Sequence, residues 1–207
     1  KMFLDLNDPG LLRQQALING AWLDADNQQT LDVINPSSGQ VIAAVARCGT
    51  LETRKAIAAA EAAQLTWKQY SARQRGDLLR SWFESMLEHI DDLAKILTAE
   101  QGKPLAEAKG EIAYGAGYIE WFAEEAKRIY GDTIAAPDSD KRIVCIKQPV
   151  GVVACITPWN VPLQINLAKC IPALAAGCTV VLKAAPDTPW SSTMLGRVVK
   201  EHTDIPA

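Results

Sequence analysis

The sequence predicts an α/β protein, and three observations carry that prediction. First, an apolar run from Val150 to Ile156 is followed by a helical stretch, Pro162 to Ala176, then a second apolar run, Cys178 to Lys183, and a second helical stretch, Thr188 to His202. Strand, helix, strand, helix in that order implies parallel pairing with right-handed crossovers. Second, upstream of this unit the hydrophobic period changes at Thr50 from short extended runs to three- and four-residue steps, a switch from strands to helices. Third, the chain has 207 residues, 48% hydrophobic and 22% charged. That is an ordinary globular balance, long enough for one large domain or two small ones.

The first elements are short strands and turns. Leu17-Ile18-Asn19-Gly20-Ala21-Trp22 carries an Asn-Gly hairpin signal between apolar residues. Asn35-Pro36-Ser37-Ser38-Gly39 is a turn with proline preset at its second position. Thr50 then caps a helix through Ala56, Ile57, Ala60, Ala63 and Gln64. Ser71-Ala72-Arg73-Gln74 fits a capping box, with a hydroxyl at the cap and an amide three residues on. Behind it Leu78, Leu79, Trp82, Phe83, Met86, Leu87 and Ile90 form a wide apolar stripe, read as core.

Gly102-Lys103-Pro104 interrupts, and Pro104 suits the first turn of the next helix, which runs through Ile112, Tyr114, Ile119, Trp121 and Phe122 to about Tyr130. Gly115 and Gly117 inside that helix cost about 1 kcal/mol each relative to alanine, so close approach of another backbone is expected there. Glu120, Glu124, Glu125, Lys127 and Arg128 read as a solvated face. Gly131 to Gln148 reads as an extended arm or hairpin with a polar turn at Asp138-Ser139-Asp140. Gly177 ends the helix after the first strand, and Pro172 inside that helix removes one hydrogen bond or bends it. The chain thus divides into a β/helical part over 1–130, an extended arm over 131–149, and a strand-helix-strand-helix unit over 150–207.

Composition narrows the function. The net charge is -3, from 21 Lys+Arg against 24 Asp+Glu with no basic run, which argues against a nucleic-acid partner. The apolar stretch Ile171 to Leu182 is broken by Pro172, Gly177 and Thr179, so no membrane span or membrane partner is expected. Lys1 to Gly20 is polar and mixed without a secretory leader pattern, and a cytoplasmic location is the expectation. The five cysteines, Cys48, Cys145, Cys155, Cys170 and Cys178, show no CxxC and no ligand spacing with His89 and His202. They read as reduced thiols, mostly buried, with neither a disulfide framework nor a metal site expected.

Chemistry points to Cys155-Ile156-Thr157-Pro158-Trp159-Asn160-Val161-Pro162-Leu163-Gln164. The turn places the amide of Asn160 at the carboxyl end of a strand, where open α/β sheets bind ligands. From these residues alone, Asn160 is either a turn asparagine or a fixed donor for a developing oxyanion. Two parallel strands also leave edges and faces uncovered, so the sequence reads as the front part of a larger α/β protein.

Several motifs together resemble the aldehyde dehydrogenase superfamily, its N-terminal portion, over nearly the whole chain. They are Ile18 to Trp22, Asn35 to Gly39, Glu100 to Ala108, Pro149 to Val152, Ile156 to Asn160, Pro172 to Gly177 and Val181 to Lys183. The stretch Leu17 to Thr133 resembles the succinate-semialdehyde dehydrogenase branch. The resemblance implies a Rossmann-type cofactor domain, of which 150–207 would be the first, incomplete NAD(P)-binding unit. It implies oxidation of a small aldehyde to a carboxylic acid with NAD or NADP, through a thiohemiacetal on a cysteine that is none of the five here.

By the same resemblance Asn160 is the side-chain oxyanion donor. Ile156, Thr157, Pro158 and Trp159 border the cofactor, and Lys183 bonds the adenosine ribose, with Ala185 and Pro186 beside it. Pro186 neither repels a 2′-phosphate nor bonds a ribose hydroxyl, which leaves both cofactors open. The G-x-G-x-x-G fingerprint is absent, as in the family, which places pyrophosphate differently. Succinate-semialdehyde enzymes carry a carboxylate-binding arginine where alignment puts Ala168, so Val161, Ile165 and Ala168 imply an apolar, roomy substrate pocket. The arm implies a homo-oligomer, dimer or tetramer. The nucleophile and general base of the family lie beyond residue 207, so the chain alone is expected to be inactive. The alternative is a non-catalytic nucleotide-binding or assembly fragment.

Overall fold

Paired short strands precede a helical layer and a single parallel strand pair in the computed structural model, which describes residues 4–203 and 205–206. β1 (Ala16–Ile18) and β2 (Ala21–Leu23) form an antiparallel hairpin. Its two turn residues, Asn19 at φ 52° and Gly20 at φ 69°, are both left-handed, as a tight hairpin turn requires. β3 (Thr30–Ile34) and β4 (Val41–Ala46) pair antiparallel with a register shift between Val33 and Ile34. Asn35 closes the turn between them by accepting the amide hydrogens of Ser37 at 2.9 Å and Ser38 at 3.3 Å.

The helical layer is α1 (Thr50–Trp67), α2 (Ala72–Glu88), α3 (Ile90–Gln101) and α4 (Leu105–Glu125), the last running on into a 3₁₀ turn, Ala126–Arg128. The cap of α1 corrects the sequence reading. Gly49 is the cap and Thr50 the first helical residue. The carboxylate of Glu52 supplies the missing oxygen, accepting from Gly49 N at 2.6 Å and Asp26 N at 2.7 Å. Of the larger apolar residues of α1, Leu51, Ile57 and Leu65 are exposed and Trp67 is buried in the core. A hydrogen-bonded seam adds to that anchor. Gln64 accepts from Thr179 N at 2.7 Å and donates to Gly177 O at 2.8 Å, and Trp67 Nε1 donates to Leu174 O at 3.1 Å.

The capping box of α2 forms as read, with Ser71 Oγ accepting from Gln74 N at 3.2 Å and Gln74 Oε1 from Ser71 N at 2.8 Å. Of the stripe, Leu79, Trp82 and Met86 are buried, whereas Leu87 lies at the flank and is exposed. α4 packs closely on both sides. A Cβ on Gly76 of α2 would stand 2.7 Å from Ala123 O, and one on Gly115 would stand 3.2 Å from Gln164 Cα. Gly117 meets nothing within 4 Å, so close approach accounts for Gly115 alone. Pro104 is the residue before α4 rather than part of its first turn.

β5 (Asp132–Ile134) and β6 (Ile143–Cys145) form an exposed antiparallel hairpin, the expected arm. Then come β7 (Val152–Ile156), α5 (Pro162–Ala175), β8 (Thr179–Lys183) and α6 (Trp190–His202). β7 and β8 pair in parallel, as predicted. The expected start of β7 at Val150 is corrected, because Gly151 at φ 114° turns the chain and leaves Val150 exposed. Similarly, α6 starts at Trp190 and not at Thr188, which closes a turn on Ala185, with Pro189 as the helix cap. Gly177, at φ 86°, ends α5 in a Schellman arrangement, with Gly177 N bonded to Leu174 O and Cys178 N to Ala173 O, each at 2.9 Å.

One apolar cluster joins these parts. Leu11, Val33, Leu79, Met86, Ile112, Leu163, Ile171 and Met194 all belong to it. Among the described residues strands pair only in twos, so β7 keeps an uncovered side. Ile156 at its end is 72% exposed, where the sequence reading expected a buried strand.

Candidate active site

The register of β7 and β8 brings the predicted residues together. Ile156 pairs with Lys183, so both strands finish at one edge, and Thr157 N continues the ladder to Lys183 O at 3.4 Å. Pro158, Trp159 and Asn160 follow as an exposed turn, with Lys183 and Pro186 exposed beside the same edge. Ala185 is buried, its carbonyl accepting from Thr188 N at 3.2 Å, so its methyl group is turned into the fold.

Thr157 anchors the turn. It is buried, and its hydroxyl donates to Asn166 Oδ1 of α5 at 2.6 Å, while Asn166 Nδ2 donates to Ser192 Oγ of α6 at 2.8 Å. A second anchor comes from the α3–α4 corner. The Asn160 carbonyl accepts from Gln101 Nε2 and Lys103 Nζ, each at 3.4 Å, which leaves the exposed residue's side-chain amide out of these contacts. Lys103 also pairs with Glu111, whose other oxygen accepts from Leu163 N at 2.9 Å and Gln164 N at 3.2 Å. Glu111 thereby satisfies the first free amides of α5, the helix that leaves the turn.

Glu100 does the same for α6, accepting from Trp190 N at 2.8 Å, from Ser191 N at 2.6 Å and from the Ser191 hydroxyl. Burial pushes its carboxyl up to about 8, against the pull of those donors. Val161, the residue before α5, and Ile165 and Ala168 within that helix follow one another at four- and three-residue steps, each half-buried.

Sequence reasoning missed Gln101, Lys103, Glu111 and Asn166 as supports. A polar residue at position 166, on the helix face otherwise made by Leu163, Leu167, Cys170 and Leu174, was the one available signal. Of the cysteines, Cys155, Cys170 and Cys178 are buried and Cys48 and Cys145 exposed. A thiol–thiol hydrogen bond between Cys155 and Cys170 holds the Cys155 thiol below its ordinary pKa and, with burial, pushes the Cys170 thiol above it.

Fold and site together define an α/β protein that presents a polar turn at the carboxyl edge of parallel strands. The chain belongs to the aldehyde dehydrogenase family, whose model matches residues 22–207. It is 60% identical over 204 residues to a glutarate-semialdehyde dehydrogenase of Pseudomonas putida, covering 99% of this chain and 42% of that protein. It is 56% identical over 195 residues to an NADP(+) succinate-semialdehyde dehydrogenase of Escherichia coli, covering 94% of this chain and 40% of that one. A crystal structure of an E. coli NADP-dependent enzyme superposes with a TM-score of 0.96 at 55% identity, over 98% of this chain and 42% of that one. The chain therefore spans about two-fifths of the length of these relatives. The branch expected from the sequence is the one these relatives represent.

Proposed function

We propose that the protein to which this chain contributes oxidises an aldehyde of the semialdehyde class to a carboxylic acid, with NAD or NADP. The observation that carries the reading is the exposed Asn160 turn standing beside Lys183 at one strand edge. Asn160 Nδ2 is the oxyanion donor, held from its own carbonyl by Gln101 and Lys103. Its task is to stabilise the oxygen of a thiohemiacetal formed on a cysteine that is none of the five in this sequence. The dinucleotide supplies the hydride acceptor. Ile156, Thr157, Pro158 and Trp159 border it, Lys183 bonds its ribose, and Ala185 contributes backbone only. Pro186, lacking charge and donor, admits either cofactor. Val161, Ile165 and Ala168 line the substrate side, with 1–130 and 150–207 serving one cofactor domain and the 131–149 hairpin joining copies into a cytoplasmic homo-oligomer.

Asn160→Ala in the complete enzyme should lower turnover by roughly a hundredfold to a thousandfold with little change in cofactor affinity. Unchanged turnover would remove Asn160 from the chemistry. Substrate class is tested separately. Ala168→Arg should strengthen the preference for aldehydes carrying a carboxylate over neutral ones, and an unaltered preference would take Ala168 out of the pocket.

A further inference from the structure

The chain contains two histidines, and folding sets them against each other. His89 joins α2 to α3, His202 ends α6, and their ring centroids lie 4.5 Å apart with planes tilted by 50°. Asp8, the cap of a 3₁₀ turn over Pro9–Leu11, completes the group. One ligand-capable atom from each of the three lies within 4.8 Å of the others.

His89 and Asp8 are each held from behind. His89 Nδ1 stands 2.9 Å from Ser85 O, which makes Nδ1 the donor and leaves Nε2 with its lone pair. Asp8 Oδ1 accepts from Gly10 N at 2.8 Å, and Asp8 N donates to Asp92 Oδ2 at 2.8 Å. The nearby cation Arg197 is 3.9 Å from Asp8 Oδ2 and pairs with Glu201 on the same helix, a carboxylate it shares with Arg13. Asp92 is likewise matched by Lys95 at 3.6 Å.

We propose that Asp8, His89 and His202 bind a borderline divalent transition metal ion, zinc in kind, with water as the fourth ligand. Two imidazoles and one carboxylate are a donor set that zinc accepts with a fourth position open. Tetrahedral bonds of about 2.0–2.1 Å put ligand atoms about 3.4 Å apart, so the side chains close in by about an ångström. That is a rotamer adjustment rather than a backbone one. The ion would tie the N-terminal segment to the α2–α3 corner and to the end of α6 opposite Ser192. Binding the folded state only, it stabilises that state.

The test is calorimetric titration of EDTA-stripped, dialysed protein with zinc chloride, and with magnesium chloride as a hard-cation control. Because Cys48 and Cys145 are exposed, a Cys48→Ser/Cys145→Ser variant runs beside His89→Gln and His202→Gln. Saturable zinc binding should persist in the serine variant, weaken roughly tenfold or more in each histidine variant, and have no magnesium counterpart. Absence of binding in the unaltered protein, or binding that follows the thiols instead of the histidines, overturns the proposal. A measurement without substitutions guards against misfolded variants. Zinc should protect both histidines from acylation by diethyl pyrocarbonate, read by peptide mass, and equal labelling with and without zinc also overturns it.

Discussion

Lys103 and Glu111 form an ion pair beneath the Asn160 turn, with side chains only 12% and 3% exposed. Glu111 also receives two amides of α5 and Lys103 the Asn160 carbonyl. The pair is therefore a joint between the α3–α4 corner and the strand-end turn. Lys103→Met should destabilise by about 3–5 kcal/mol, because it strands a buried carboxylate. Urea unfolding measures this, and a loss below about 1 kcal/mol would show the pair to be screened.

Two glycines in α4 make opposite predictions. A methyl group at Gly115 would stand 3.0 Å from Leu167 Cδ1 and 3.2 Å from Gln164 Cα, and those neighbours belong to the packed helix α5. Gly115→Ala should destabilise by about 1–3 kcal/mol. Gly117 has open space, so Gly117→Ala should stabilise by about 1 kcal/mol through helix propensity. Denaturation midpoints moving in the same direction for both would contradict the packing described.

Stability should fall as pH rises through 8 on account of Glu100. Its folded carboxyl lies at about 8 against an ordinary 4.5. Between those values the folded state holds a proton that the unfolded state has released, so its contribution is complete below 4.5 and gone above 8. Glu100→Gln should flatten that part of the pH profile in urea midpoints. A profile identical to that of the unaltered protein would assign the dependence elsewhere.

Asn166 links Thr157 to Ser192 in the interior. Asn166→Leu leaves the buried Thr157 hydroxyl without its acceptor, at a cost of about 1–3 kcal/mol. The change should also loosen the turn, so protection of the Thr157 amide in hydrogen exchange should drop. Unaltered exchange at that amide would make the link dispensable.

Periodicity and turn chemistry were legible without coordinates. The Asn19-Gly20 hairpin, the Ser71 capping box and the Gly177 stop each depend on residues within a few positions of one another, and the parallel pairing of β7 with β8 follows from the order strand, helix, strand. The cap of α1 was not legible, because its oxygen comes from Glu52 inside the helix instead of a side chain at the cap. The hydrogen-bonded seam of α1 was not legible either, since Gln64 and Thr179 meet only when the helix packs on β8.

What the sequence determined by itself is the order of strand-rich and helical segments and which turn carries Asn160, since these follow from local backbone preference and hydrophobic spacing. Tertiary structure alone decided what supports that turn. Gln101 and Lys103 reach it from the α3–α4 corner, backed by Glu111 of α4, while Asn166 comes from the helix that follows it, and no local pattern encodes the distant partners. The same holds for His89 and His202, unrelated in spacing yet in ring contact, because helix packing rather than sequence separation sets which side chains meet.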